Sequence, residues 1–173
     1  MKKSIFLLAF ILINLISSVT ELKAQATVTA QAFAEVIAAL TATETAQLNF
    51  GRFSPETQGG KVVLSPDGVR TTQGSVILGG GSHTSASFYL TGEPDAAFSI
   101  TLPPGPAILT NTLNARTMQV SDWQSYPAAG IGAGKLTGGS VTVKVGAVLN
   151  VSDINANPVG IYADTYAITF AYN

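Results

Sequence analysis

The chain has no cysteine. No disulfide can form, so the fold must rest on its hydrophobic core, even in an exported setting where disulfides persist. The same absence rules out a lipid-modified N-terminal cysteine and a thiolate metal site. A single histidine, His83, leaves no zinc constellation and no serine–histidine pair with an orienting third group. Its neighbour Ser82 faces the other way in extended chain, and no G-x-S-x-G elbow is present. His83 is therefore read as a solvated residue in the Gly79–Ser82 turn. Basic residues are also scarce. Without residues 1–24, six remain against nine acidic ones, a net charge of −3, which argues against a nucleic-acid surface. Beyond the N-terminus no hydrophobic run reaches membrane-spanning length, so no transmembrane anchor is expected in the mature chain.

Residues 1–24 read as a secretory signal. Lys2 and Lys3 form the positive region, Ile5 to Ile16 the apolar core, and Ser17 to Ala24 the cleavage region, with an alternative cut after Ala26. The expected product is exported and periplasmic, cell-surface or extracellular. Its remaining 149 residues (25–173) suit one domain.

That domain opens with an unusual pattern. From Val28 to Phe50 every even-numbered residue is apolar except Glu44. A period of two marks extended chain with one buried face, yet the run far exceeds the usual strand of about 5–6 residues. It must bend, switch sheets, or lie in a neighbour's sheet. Residues 25–47 are thus a candidate sheet-completing or donor segment, and Val28, Ala30, Ala32, Ala34, Val36 and Leu40 are the candidate partner-strand contacts. A second period competes: Phe33, Val36, Ile37 and Leu40 also fit a helical stripe, in an Ala-rich stretch.

Strand-like runs then recur between turn signals. Leu48–Phe53, Lys61–Leu64, Ser75–Leu78, Ser85–Thr91, Phe98–Leu102, Ile108–Thr110, Met118–Val120, Ser140–Val151 and an alternating stretch from Tyr162 to Tyr172 are bounded by Gly, Pro and Asp. Pro66-Asp67-Gly68 is a turn with a mechanism, since Pro presets φ and Gly accepts positive φ. Many short strands without intervening helices predict an all-β, antiparallel, immunoglobulin-like sandwich of roughly seven to nine strands. Ala128–Gly134, all glycine and small residues but Ile131, reads as a mobile loop.

Motifs with chemical overtones fail on inspection. Gly130–Lys135 resembles a phosphate loop, but Ala129 stands where glycine is needed and Leu136 where Ser or Thr would hold magnesium. Asp153, Asn155 and Asn157 are spaced like calcium ligands, but Pro158 replaces the turn glycine and Asp164 the bidentate glutamate. An Asx-rich turn is the reading adopted. No catalytic, cofactor-binding or metal residue is assigned, and no enzyme is expected. Trp123 and Tyr126 form a candidate aromatic patch for a sugar or a protein partner.

Four segments together resemble an exported bacterial family known as domain of unknown function 4402: Leu48-Asn-Phe-Gly-Arg-Phe53, Gly60-Lys-Val-Val-Leu-Ser-Pro-Asp-Gly68, Gly92-Glu-Pro-Asp-Ala-Ala-Phe-Ser-Ile-Thr-Leu-Pro103 and Gly160-Ile-Tyr-Ala-Asp-Thr-Tyr-Ala-Ile-Thr-Phe-Ala-Tyr172. The resemblance implies an all-β exported domain without catalytic residues. More loosely, the chain is similar to spore coat U and chaperone–usher pilin subunits, which implies a sandwich completed by a neighbour's strand. The functional expectation is a non-enzymatic structural or adhesive surface protein, pilus-like and self-associating or bound to other envelope proteins. The alternative is a self-contained extracellular module that binds carbohydrate or an envelope protein.

Overall fold

The computed structural model describes residues 25–173; the expected signal segment, residues 1–24, lies outside them. The chain divides into two units, Met1–Glu35 and Val36–Asn173. In the first, residues 25–35 carry neither strand nor helix and are exposed.

The second unit is built from strands. In chain order they are β1 (Thr41–Ala46), β2 (Phe53–Leu64), β3 (Arg70–Leu78), β4 (Ala86–Thr91), β5 (Ala97–Thr101), β6 (Ala107–Asn111), β7 (Thr117–Tyr126), β8 (Gly130–Lys135), β9 (Ser140–Val151), β10 (Tyr162–Ala163) and β11 (Thr169–Tyr172). A larger sheet runs β1-β4-β9-β7-β6-β10, with the β2–β3 hairpin joined to β9 through β2. A smaller sheet runs β11-β5-β8. All pairings are antiparallel. The expected all-β antiparallel sandwich is thus the observed architecture.

The core forms two clusters. One gathers Phe50, Val62, Leu64, Val76, Met118, Val120 and Leu149 over the β2–β9–β7 region. The other gathers Ala86, Leu90, Phe98, Ile100, Leu136, Val143 and Val145, where the smaller sheet packs on β4 and β9. Each large apolar side chain removed from water contributes about 1.5–3 kcal/mol, and with no disulfide this burial is the main stabilising term. The Ser65–Val69 turn behaves as its sequence dictates: the Gly68 amide donates to the Ser65 carbonyl at 2.9 Å and Gly68 sits at φ +90°.

Four expectations change. The alternating N-terminal run is neither one long strand nor a helix: pairing begins only at Thr41, and residues 25–40 are irregular. The alanines at 30, 32, 34 and 38 offer little apolar area to drive pairing, whereas Thr41, Thr43 and Thr45 are β-branched and favour extended backbone. Most of Leu48–Phe53 is not a strand but a connection with one isolated bridge, Asn49 to Thr84, and only Phe53 belongs to a strand, as the first residue of β2. The glycine-rich stretch read as a mobile loop is mostly strand β8, paired with β5. Gly134 is needed for close packing, because a Cβ there would collide with the Phe98 ring. Finally, the Tyr162–Tyr172 run changes sheets: β10 pairs β6 in the larger sheet and β11 pairs β5 in the smaller. Its alternation survives the crossing, with Tyr162, Tyr166, Ile168, Phe170 and Tyr172 all partly buried.

A test of the β8 packing follows. Gly134→Ala should lower unfolding free energy by roughly 1–3 kcal/mol through overpacking. Gly80→Ala, with nothing within 4 Å of the new methyl, should stay within about 0.5 kcal/mol. Urea titration of both variants decides; equal midpoints would contradict the packing account.

Candidate functional site

The site is defined by a place where the two layers do not match. Among the described residues strand β1 is the edge of the larger sheet and pairs only with β4, in the register Ala42↔Leu90 and Glu44↔Phe88. Directly paired residues share a face of the sheet. Leu90 is buried and belongs to the core, so Ala42 and Glu44 are also on the inner face. Both are nevertheless exposed. The opposing sheet ends at β11, which pairs with β5 on one edge and among the described residues has no strand on the other, and the inner face beside β1 stays open.

The gap is an open cleft of about 520 Å³, lined by Glu44, Leu48, Phe88, Tyr162, Tyr166 and Ile168 among others. A second cleft of about 850 Å³ adjoins it through Leu48, Asn49, Leu109, Ile161 and Tyr162, and is walled by Phe50, Phe53 and Leu149. Among the described residues Arg52 is the one charged residue lining the second cleft, whereas Glu44 and Asp164 line the first.

Tyr166 is the chemically distinctive wall residue. Its ring lies 4.7 Å from that of Trp123, centroid to centroid, at 34°, and its hydroxyl is buried without a hydrogen-bond partner among the described residues. Burial first, and the Glu44 carboxylate second, push its pKa up to about 12.

A clamp holds the entry to β1. The Tyr172 hydroxyl donates to the Ala38 carbonyl at 2.9 Å and accepts from the Glu93 amide at 2.7 Å. The Glu93 carboxylate in turn accepts from the Ala38 amide at 2.9 Å. Gly92 admits this hydroxyl, since a side chain there would collide with it.

The residues singled out in the sequence fall as follows. Val28, Ala30, Ala32, Ala34 and Val36 are exposed, Val28 at 88% and Val36 at 96%. Leu40 differs from them: it is partly buried against its own core and is not free for a partner. Trp123 and Tyr126 do not form one patch. The β7–β9 register shifts between Ser121 and Gln124, with Asp122 at φ +51°. Before this bulge Met118 and Val120 point inward; after it Trp123 and Ser125 do, and Tyr126 faces out. Trp123 packs against both core clusters and its indole donates to the Gly105 carbonyl at 3.2 Å.

Elsewhere, Lys135 of the phosphate-loop lookalike pairs with Asp95 at 3.0 Å on the surface. Asp153 accepts from the amides of Asn155 and Ala156 at 2.7 and 3.0 Å. These bonds, that from Ala156 foremost, hold its carboxyl below the usual range. Buried Asn157 accepts from the Ser152 amide and donates to the Thr117 carbonyl. His83 is half-buried with Nδ1 unpartnered rather than solvated as expected. Among the described residues no cluster of three or more His, Cys, Asp or Glu could hold a metal, and no helix is long and apolar enough to cross a membrane.

A family model described as a domain of unknown function, DUF4402, matches residues 40–172. The chain belongs to the DUF4402 family. No curated protein and no solved structure matches it. The matched span covers every DUF4402 strand described above and the whole cleft, and starts just before Thr41, where pairing starts.

Sequence reasoning missed the cleft residues Glu44, Phe88, Tyr166 and Ile168. A signal was present in Glu44, the lone charge on the apolar face of the alternating run: an ionised carboxylate stays on an inner face only where that face is wet.

The Tyr166 phenol should titrate late, near pH 12. A folded-state pKa above the ordinary 10.0 leaves stability unaffected below pH 10 and lowers it as pH rises through 12, where folding must hold a proton the unfolded chain has lost. Absorbance at 295 nm should show a late tyrosinate step that disappears in Tyr166→Phe. At neutral pH that variant should be equally stable or up to about 1 kcal/mol more stable, since it removes an unpartnered hydroxyl; a clear loss would mean the hydroxyl is bonded.

Proposed function

We propose that this DUF4402 protein is a non-enzymatic, exported structural or adhesive surface subunit that assembles by β-strand addition. In this reading it is an immunoglobulin-like, pilin-like sandwich whose N-terminal segment joins the sheet of another copy. The observation that carries the reading is the uncovered inner face of β1 beside the free edge of β11. A free strand edge presents unpaired backbone donors and acceptors, a ready template for another chain. The chain also carries a segment suited to add there: exposed and unpaired, with apolar side chains at alternate positions from Val28 to Val36. Backbone hydrogen bonds supply affinity in such additions, and alternate side chains entering the cleft supply specificity. The small side chains of Ala30, Ala32 and Ala34 suit a narrow gap between two existing layers.

In this reading the export signal expected in residues 1–24 sends the subunit out of the cytoplasm, to the periplasm, the cell surface or the extracellular space. No nucleophile, base and orienting group converge in the cleft, whose ionisable side chains are Arg52, Glu44, Asp164 and the two tyrosines.

Light scattering on the mature chain should show concentration-dependent association. Val28→Asp with Val36→Asp should weaken it at least tenfold, because two carboxylates would have to be desolvated in an apolar cleft. Both positions are exposed, so the double variant should melt like the parent. A mature chain that stays monomeric at its highest soluble concentration would sink the reading.

A further inference from the structure

The outer face of the larger sheet, opposite the cleft, carries a second site built by register. Tyr126 pairs with Lys144, and Tyr89 with Thr142. Val143 and Val145 point inward, so Thr142, Lys144 and their partners Tyr89 and Tyr126 share the solvent face. Both tyrosines are exposed, Tyr126 at 73% and Tyr89 at 44%. The Pro66–Asp67 turn walls one end. It is held there because Gly146 lets the Leu64–Pro66 backbone pass directly over β9, and because the Ser85 hydroxyl donates to the Pro66 carbonyl at 3.0 Å. Pro66, Asp67, Tyr126, Thr142 and Lys144 together enclose a pocket of about 290 Å³.

We infer that this pocket binds a sugar unit of a neutral polysaccharide, with Tyr126 as the stacking platform and Tyr89 as an outlying contact along the chain of rings. A pyranose has an apolar C–H face and a rim of hydroxyls. It therefore needs an exposed aromatic ring with hydrogen-bonding groups at the edge. The pocket supplies the ring and the apolar Pro66 wall, with Asp67 as an acceptor, Lys144 as a donor and Thr142 as either. Asp67 is already oriented by the Ser65 hydroxyl, which with its other hydrogen bonds keeps it ionised and accepting. One carboxylate and one ammonium leave the pocket electrically balanced, which favours a neutral ligand over a polyanion or polycation. The volume is at the small end for ligand sites and suits one ring at a time. Two tyrosines on strands flanking β9 suit a linear chain lying across a flat sheet.

The test is affinity electrophoresis of the mature protein through gels containing mixed-linkage β-glucan, xylan, galactomannan or β-1,3-glucan. Retardation by at least one is expected. Tyr126→Ala should weaken it at least tenfold, and Tyr89→Ala by a smaller factor, with melting temperatures unchanged because both rings are on the surface. Light scattering should show association unaltered in these variants, so loss of sugar binding and loss of assembly are read separately. Migration unchanged in all four gels, or retardation that survives Tyr126→Ala, would overturn the assignment.

Discussion

Everything in this domain hangs on the pairing of β9. Its residues from Val145 to Leu149 are all buried. It is hydrogen-bonded to β7 along one edge, and to β4 and β2 in succession along the other. Fixing β9 therefore fixes which side chains of three neighbouring strands meet the core. Val143 and Val145 belong to one core cluster and Leu149 and Val151 to the other, so one strand threads both. In a chain without cross-links, a central strand paired on both edges and buried along its inner face is what the conformational entropy of the many loops is balanced against.

How much of this was legible depended on how locally each feature is determined. β9 was readable to the residue, Ser140 to Val151, because its valines alternate and glycines precede it. The hairpin turn at Pro66–Gly68 was equally plain, its chemistry being contained in three residues. Strand β8 was opaque, since its Gly134 is there for the Phe98 ring, a partner distant in sequence. The bulge in β7 separated Trp123 from Tyr126 for a related reason: the single inserted residue at Asp122 turns Trp123 toward the core, while Tyr126 stays exposed. The N-terminal run misled differently. A period of two reports that a segment could be extended with one apolar face, and does not report whether its own domain covers that face.

That distinction unites the cleft with the segment before it. The apolar face from Val28 to Val36 is exposed for want of a covering layer, and so is the inner face at Ala42 and Glu44. One is a surface without a slot, the other a slot without a surface. The carboxylate of Glu44 and the stranded hydroxyl of Tyr166 mark the slot as a place where polar groups wait on solvent or on another backbone. The outer face differs in kind: in the sugar-binding assignment its hydroxyls, its carboxylate and ammonium and its tyrosine rings face ligands that carry their own hydroxyls.

The Tyr172 clamp also has a mechanical meaning. The chain enters β1 through Ala38, which the Tyr172 hydroxyl and the Glu93 carboxylate hold by its carbonyl and its amide. A pull on the preceding segment first loads those two bonds. It then runs along the axis of β1, whose ladder to β4 extends from Thr41 to Ala46. Ladder bonds lie perpendicular to the strand, so the load falls on all of them together in shear instead of opening them one by one. Tyr172 thereby serves as a fastening through which tension on the segment before β1 is passed to the β1–β4 ladder as a unit.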